Sequence, residues 1–224
     1  MEHIPVYIQI VFVLTTLLTL MLLYRATNFS KAMIAGVLIW LALQAVISLS
    51  GFYTITTGTP PRFALLLFPP VIFIIILFRT RKGKAAIDSF NVKTLTLLHI
   101  VRIPVEFTLY WLFLHKALPE VMTFEGRNFD ILCGLTAPFI YYFGYVKNVL
   151  NRKILIAWNI VCLVLLANIV ITAAKSAPFG FQKLGSEQPN FALFYFPFIW
   201  LPCFVVPAVL LAHLVSLRRL VSGI

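Results

Sequence analysis

Residues 93–116, KTLTLLHIVRIPVEFTLYWLFLHK, are apolar enough to form a membrane-spanning helix, yet their middle holds a His, an Arg and a Glu. The whole chain has 224 residues, of which 61% are hydrophobic and only 11% are charged. A soluble domain carries about 25% charged residues, so most of this surface is expected to face lipid. The sequence therefore predicts an all-α integral membrane protein.

The spans are predicted from apolar runs of about 20 residues, the length that crosses a bilayer as a helix. Seven such runs occur, at 4–24, 33–52, 63–78, 94–116, 129–146, 154–174 and 191–217. No gap between them is long enough for a separate soluble module. We therefore expect residues 1–224 to form a single domain of seven transmembrane helices.

The positive charges predict the orientation of these helices. The first positive charge, Arg25, follows the first apolar run, which predicts a retained helix rather than a signal peptide. One set of loops carries twelve Lys or Arg residues: Arg25, Lys31, Arg79, Arg81, Lys82, Lys84, Lys93, Lys147, Arg152, Lys153, Arg218 and Arg219. The other set carries five: Arg62, Lys116, Arg127, Lys175 and Lys183. Because cytoplasmic loops are richer in Lys and Arg, the N-terminus is expected outside and the C-terminus in the cytoplasm.

Two similar nonapeptides, PRFALLLFP at 61–69 and PNFALFYFP at 189–197, are identical at six of nine positions. We interpret them as traces of a parallel repeat, in which residues 4–78 and 129–217 are joined by the helix at 94–116. A chance match in so biased a composition is the alternative. The three-one-three plan resembles SWEET-type sugar transporters in architecture. The Pro-Gln motif of that family is absent, so the resemblance implies no functional residues.

A polar stripe lies along the fourth predicted helix. At 100° per residue, Thr96, His99, Arg102, Glu106 and Tyr110 share an arc of about 120°. A charged side chain at the bilayer centre costs at least about 2.5–3.5 kcal/mol. Pairing of Arg102 with Glu106, four residues apart on one face, would lower that cost. The stripe is therefore expected to face protein or water, either as a binding site or as a structural ion pair.

Residues on other helices are predicted to join this site. Gln44 and Asn168 lie near the level of Glu106 when counted from their helix ends, and are candidate substrate-binding residues with the stripe. Three prolines, Pro69, Pro104 and Pro197, are predicted to kink their helices and free backbone carbonyls. Such carbonyls are tolerated where they line a cavity, although packing alone also accounts for kinks.

Two histidines, His99 and His213, are predicted at nearly the same depth. They could hold a haem or a metal ion, but two histidines specify little, so separate hydrogen-bonded histidines are favoured and no metal ligand is assigned. The three cysteines are interpreted as small buried hydrophobic residues. The segment 120–130 is interpreted as a solvated loop, with Arg127 and Asp130 at the rim of the site.

Three functions remain open from the sequence. A small-solute or ion-coupled transporter is favoured, because intramembrane charges commonly mark a transport path. An intramembrane enzyme acting on a lipid, quinone or isoprenoid would use Glu106 or His99 as acid or base and Arg102 as an anion clamp. A sensor or scaffold subunit is the third.

We expect the lipid bilayer and a small-molecule or lipid ligand as partners, in a bacterial-type inner membrane. The net charge of +11 is assigned to the loops rather than to nucleic-acid binding, and no motif identifies a cofactor.

Overall fold

A computed structural model describes residues 4–55, 62–178, 184–185, 188 and 190–223. Its α-helices are α1 (Val6–Ala26), α2 (Lys31–Leu49), α3 (Ala64–Arg79), α4 (Arg81–Asp88), α5 (Val92–Leu98), α6 (Arg102–Leu114), α7 (Ile131–Phe139), α8 (Arg152–Ser176) and α9 (Val206–Ser222). Segments of 3-10 helix cover Phe52–Thr54, His99–Val101, Glu120–Met122 and Ala192–Phe194, and π-helix covers Ile140–Val146 and Leu201–Val205. The described residues contain no strand, so the all-α prediction is confirmed.

Several helices are long and apolar enough to span a membrane. Five continuous helical segments meet this condition: Val6–Ala26, Lys31–Leu49, Val92–Leu114, Arg152–Ser176 and Leu201–Ser222. α3 and α4 meet it only together, although they are bent by 92°, and the apolar helix Ile131–Val146 is shorter. Large apolar side chains on these helices point outward, among them Ile39, Val46 and Val164. Helices that are apolar on all sides are typical of membrane spans, which supports the prediction of a membrane protein.

Four helices begin with a side-chain cap. Ser30, Thr80, Asn91 and Asn151 each accept a hydrogen bond from the backbone N–H three residues later. They precede α2, α4, α5 and α8 respectively. These caps explain why each of the four helices begins where it does.

The short helix α4 folds back against the end of α9. Its Gly83 approaches the last turn of α3 so closely that a Cβ there would clash with the carbonyl of Leu77. Arg218 makes two parallel hydrogen bonds to Asp88, Nε to Oδ1 at 2.8 Å and Nη2 to Oδ2 at 2.9 Å. The contact fastens the α3–α4 bend to the C-terminal helix.

The fourth predicted span, residues 94–116, changes helix type in its middle. α5 ends at Leu98, a 3-10 turn covers His99–Val101, and α6 starts at Arg102. Pro104 has no N–H to donate to the carbonyl of Ile100, so the α-helical pattern cannot continue unbroken through this point. The break near Pro104 therefore places His99 on a tightened turn directly before Arg102.

The prolines of the third and seventh predicted spans behave differently. Pro69 lies inside α3, which runs unbroken through it. Pro197 follows a cis peptide bond and lies in a turn before the π-helix, not within a helix. The predicted helix kink at Pro197 is therefore wrong, because the helix of this span begins only after that turn.

The two nonapeptides also differ in conformation. Residues 64–69 are α-helix, whereas residues 192–194 form one 3-10 turn and the chain then bends. Their first residues, 61 and 189, lie outside the described part of the chain. The shared letters thus do not give a shared local structure.

Candidate functional site

Five buried polar side chains meet around the 3-10 turn, the start of α6, the start of α7 and α9. They belong to His99, Arg102, Asp130, Cys133 and His213, and each of these residues, main chain included, is at most 5% exposed. The 3-10 turn carries the first, α6 starts with the second, the third directly precedes α7, α7 carries the fourth, and α9 carries the last. We call these five residues the polar cluster.

Arg102 is the centre of the polar cluster. Its Nη1 lies 2.6 Å from Asp130 Oδ1 and 3.5 Å from the carbonyl oxygen of Cys162. Its Nη2 lies 3.0 Å from His213 Nε2. The ion pair is with Asp130 and not with Glu106, so the predicted pairing along one helix is wrong. Asp130 is buried against Arg102 rather than exposed at a rim, because a buried guanidinium needs an anion in contact.

The hydrogen bonds of His213 define its tautomer. Arg102 can only donate, so Nε2 of His213 must accept and carry no proton. Nδ1 lies 2.8 Å from Oδ1 of Asn159, whose own Nδ2 donates to the carbonyl of Leu155. Nδ1 therefore carries the proton and donates it to Asn159. His213 is a neutral imidazole whose orientation is determined from both sides.

His99 differs from His213 because neither of its ring nitrogens has a hydrogen-bond partner, although the side chain is completely buried. Its ring stacks on that of His213, with centroids 3.8 Å apart and planes 19° apart. The indole of Trp158 packs edge-on against it at 5.5 Å. Rings stacked face to face at this distance leave no room for a porphyrin between them. The haem alternative therefore does not fit this arrangement.

Cys133 brings a thiol to the same place. Its Sγ lies 4.0 Å from His213 Nε2. One ligand atom from each of His99, Cys133 and His213 lies within 4.8 Å of the others. The approach depends on the next residue, Gly134, where a Cβ would lie 2.8 Å from Cγ1 of Ile103. A glycine at this position allows α7 to contact the start of α6 directly.

Glu106 lies one turn beyond Arg102 and is also buried, with 1% of its surface exposed. Its Oε1 accepts a hydrogen bond of 2.6 Å from Nδ2 of Asn128, while its Oε2 has no partner. Asn128 is held by the carbonyl of Met122 and by the N–H of Asp130. No cation among the described residues lies within ion-pair distance of Glu106. This carboxyl group is thus buried next to the polar cluster without a counter-ion in contact.

The other predicted site residues lie outside the polar cluster. Gln44 accepts a hydrogen bond from the hydroxyl of Tyr53 at 2.6 Å. Asn168 is exposed and donates to the carbonyl of Arg127. Tyr110 is half-buried and packs against Phe124, with ring centroids 4.9 Å apart. None of the three makes a hydrogen bond to the polar cluster among the described contacts.

Three further contributors were not assigned to the site from the sequence. They are Asn128 and Asn159, which hold Glu106 and His213, and Cys133, which was interpreted as a simple hydrophobic residue. Asn159 could have been identified from the sequence, because it lies inside an apolar span and a buried amide there needs hydrogen-bond partners. Nothing in the local sequence distinguishes Cys133 from Cys203.

A separate apolar cleft of about 380 Å³ lies between α2, α3 and the π-helical start of the last span. Trp40, Gly36, Phe73 and Phe204 are among its lining residues. The indole N–H of Trp40 donates to the carbonyl of Cys203, which satisfies a backbone oxygen of the π-helix. No member of the polar cluster lines this cleft.

A family described as a domain of unknown function (DUF8737) matches residues 60–221, which contain the whole polar cluster. No curated protein and no solved structure matches the chain. The matched segment is 162 of 224 residues, well over half of the chain. The chain therefore belongs to the DUF8737 family.

Proposed function

We propose that this protein crosses the membrane seven times and transports a small solute or ion, with Glu106 as its proton-exchanging group. The seven spans would be the five long segments, α3 as far as its bend into α4, and the shorter helix at Ile131–Val146. The three-one-three repeat is not part of this proposal.

Contacts between loops support seven crossings, because alternate loops meet at one end of the molecule. Asn28 donates to the carbonyl of Ser89 at 2.7 Å, which joins the α1–α2 and α4–α5 connections. Arg152, at the start of α8, donates to the carbonyl of Val221 near the C-terminus. An odd number of crossings puts these connections and the C-terminus on one side. The positive charges concentrated there favour the cytoplasmic side.

The burial of the Glu106 carboxyl group without a counter-ion in contact is the observation that carries the transport proposal. An uncompensated buried carboxylate costs several kcal/mol, whereas a protonated carboxyl group does not carry that charge. A site that alternates between sealed and open states would therefore take up a proton when it closes and release it when it opens. The sealed cluster corresponds to the closed state of such a cycle.

Local helix breaks near the site provide places where the spans could bend. The 3-10 turn at His99–Val101 directly precedes Arg102, and π-helix follows α7 at Ile140–Val146. Segments of π-helix and 3-10 helix inside helices commonly occur at functional sites and hinges. These breaks support a moving site over a rigid structural ion pair.

The location of the apolar cleft weighs against the intramembrane enzyme. Its volume and apolar lining suit an acyl or isoprenoid chain. However, neither His99 nor Glu106 lines it. A general acid or base must come within hydrogen-bond reach of the reacting atom.

Transport is tested in proteoliposomes with a panel of probes: neutral sugars, amino acids, small carboxylates and alkali cations. Uptake is measured with and without an inward proton gradient, for the wild type, for Glu106→Gln and for a control, Glu120→Gln, in the exposed segment after α6. One pH unit is worth about 1.4 kcal/mol, so one coupled proton can concentrate a neutral solute about tenfold.

We expect one class of probe to accumulate in the wild type and in Glu120→Gln. Glu106→Gln should equilibrate that probe without concentrating it. Proton-driven accumulation that survives in Glu106→Gln would remove Glu106 as the carrier. Absence of uptake for every class in the wild type would reject transport of the solutes tested.

A further inference from the structure

The buried ring nitrogens of His99 have no role in the transport proposal and need a separate explanation. Buried polar atoms are almost always hydrogen-bonded, and exceptions call for an explanation such as an ion or water. Both ring nitrogens of His99 are buried and unpartnered. The two other groups within reach, Cys133 and His213, are both metal-ligating types.

The geometry is close to that of a three-coordinate metal site. Metal–nitrogen bonds of about 2.0 Å and metal–sulfur bonds of about 2.3 Å place trigonal ligand atoms roughly 3.5–4 Å apart. The Cys133–His213 distance is already 4.0 Å, and all three ligand atoms lie within 4.8 Å of one another. The distances need to close by only about 1 Å, and the His99 ring would have to turn out of its stack on His213 so that both lone pairs point at one ion.

We propose that His99, Cys133 and His213 bind one Cu(I) ion. Thiolate and imidazole are ligands that copper and zinc accept, and soft thiolate sulfur favours Cu(I). This inference goes beyond the transport proposal and does not depend on it.

Net charge favours the monovalent ion. Arg102 and Asp130 already neutralise each other in contact. When Cu(I) binds, the S–H bond of Cys133 breaks, a Cu–S bond forms and the proton leaves to solvent, so the cluster keeps its net charge. A divalent ion would instead leave one uncompensated positive charge beside the guanidinium of Arg102. Burying such a charge is expensive.

The second ring nitrogen of His213 is arranged as metal-ligating histidines require. Such histidines usually donate their other N–H to an oxygen, which fixes the ring. Nδ1 of His213 donates to Asn159 in this way, so the lone pair of Nε2 points toward Arg102 and Cys133. Copper would replace the single contact from Arg102 Nη2. Arg102 would keep Asp130 and the carbonyl of Cys162.

The test uses the purified full chain in detergent under reducing, oxygen-free conditions. Cu(I) is supplied against bathocuproine disulfonate, a competing chelator whose copper complex is coloured. The informative variant is His99→Phe, because the nitrogens it removes make no hydrogen bonds and the stacked ring is kept. Cys133→Ser removes the sulfur. The matched controls are His115→Phe, an exposed histidine, and Cys203→Ser, a buried cysteine outside the cluster.

We expect one Cu(I) per chain in the wild type and in both controls. Changing an outer residue around a metal ligand typically lowers affinity 10–100-fold, so loss of a ligand should lower it at least about 100-fold. His99→Phe should show this loss while its thermal unfolding stays close to that of the wild type. Where Cys133→Ser does not fold, copper K-edge X-ray absorption of the wild type reports the sulfur ligand directly.

Three results would overturn the proposal. They are equal copper affinity in His99→Phe and the wild type, a bound copper without sulfur in its first shell, or tighter binding of one Zn(II) at the same residues. Glu106→Gln should keep its copper affinity, so failure here and failure of the transport proposal are distinguishable.

Discussion

Removal of the Asp130 carboxylate, by Asp130→Ala, should destabilise the protein more than any change in an exposed loop. The ion pair with Arg102 is 2.6 Å long, and the two side chains are 3% and 8% exposed. Removing one partner of such a pair costs about 3–5 kcal/mol, because the remaining charge stays buried. Arg102 keeps contacts with His213 and the carbonyl of Cys162, so we expect the lower end, about 3 kcal/mol. At about 1.4 kcal/mol per factor of ten, this is roughly a hundredfold change in the folding equilibrium.

The assay is unfolding in mixed micelles with a rising fraction of SDS, followed by the fluorescence of the four tryptophans. Glu120→Ala is the control, with an expected change within about 0.5 kcal/mol, as for most surface substitutions. The double variant Arg102→Met with Asp130→Ala removes both charges. It should be more stable than Asp130→Ala, because no charge is then left buried without a partner. Equal unfolding of Asp130→Ala and Glu120→Ala would refute the buried ion pair.

Two further predictions test the packing of α7 and the contact between α4 and α9. Gly134→Ala should destabilise the protein by about 1–3 kcal/mol, because the added Cβ would overlap the neighbouring span. At Gly36 a Cβ meets open space, so Gly36→Ala should stabilise the protein by up to about 1 kcal/mol through helix propensity. The same unfolding assay checks both variants, and equal effects would contradict the close contact at Gly134. The two hydrogen bonds from Arg218 lower the pKa of Asp88 below that of an ordinary Asp. Its carboxylate therefore stabilises the folded protein fully at pH values above the ordinary Asp pKa. That stability is lost as the pH falls through the lowered pKa of the folded state. Asp88→Asn should remove that acid-side dependence in unfolding measured between about pH 2 and 6. An unchanged pH profile would show that the ion pair contributes nothing.

Helical periodicity predicted which face of the fourth span is buried. Five residues were placed on one face: Thr96, His99, Arg102 and Glu106 are at most 2% exposed, whereas the fifth, Tyr110, is only half-buried. Periodicity could do this because it depends only on the helix to which the residues belong. It could not identify partners across space. The anion that pairs with Arg102 is 28 residues away, and the imidazole is 111 residues away.

The prolines show why local breaks were harder to place. Pro104 and Pro207 lie in the first turn of α6 and α9, where a backbone N–H needs no helical partner. Pro197 lies in a turn outside any helix. Pro69 alone of the three predicted kink positions lies well inside its α-helix. An apolar run containing proline therefore predicts that a span exists, but not where its regular helix begins.

In a membrane, a buried site is favoured to bind a cation where binding leaves no uncompensated charge. Arg102 and Asp130 already neutralise each other. The groups left are Glu106, beside the polar cluster, which becomes neutral when it binds a proton, and Cys133, within the cluster, which loses a proton when it binds Cu(I). Both reactions avoid an uncompensated charge, the largest cost in this environment. They involve different residues, so a protein that lacks the carboxylate at position 106 and one that lacks the imidazole at position 99 should lose different properties.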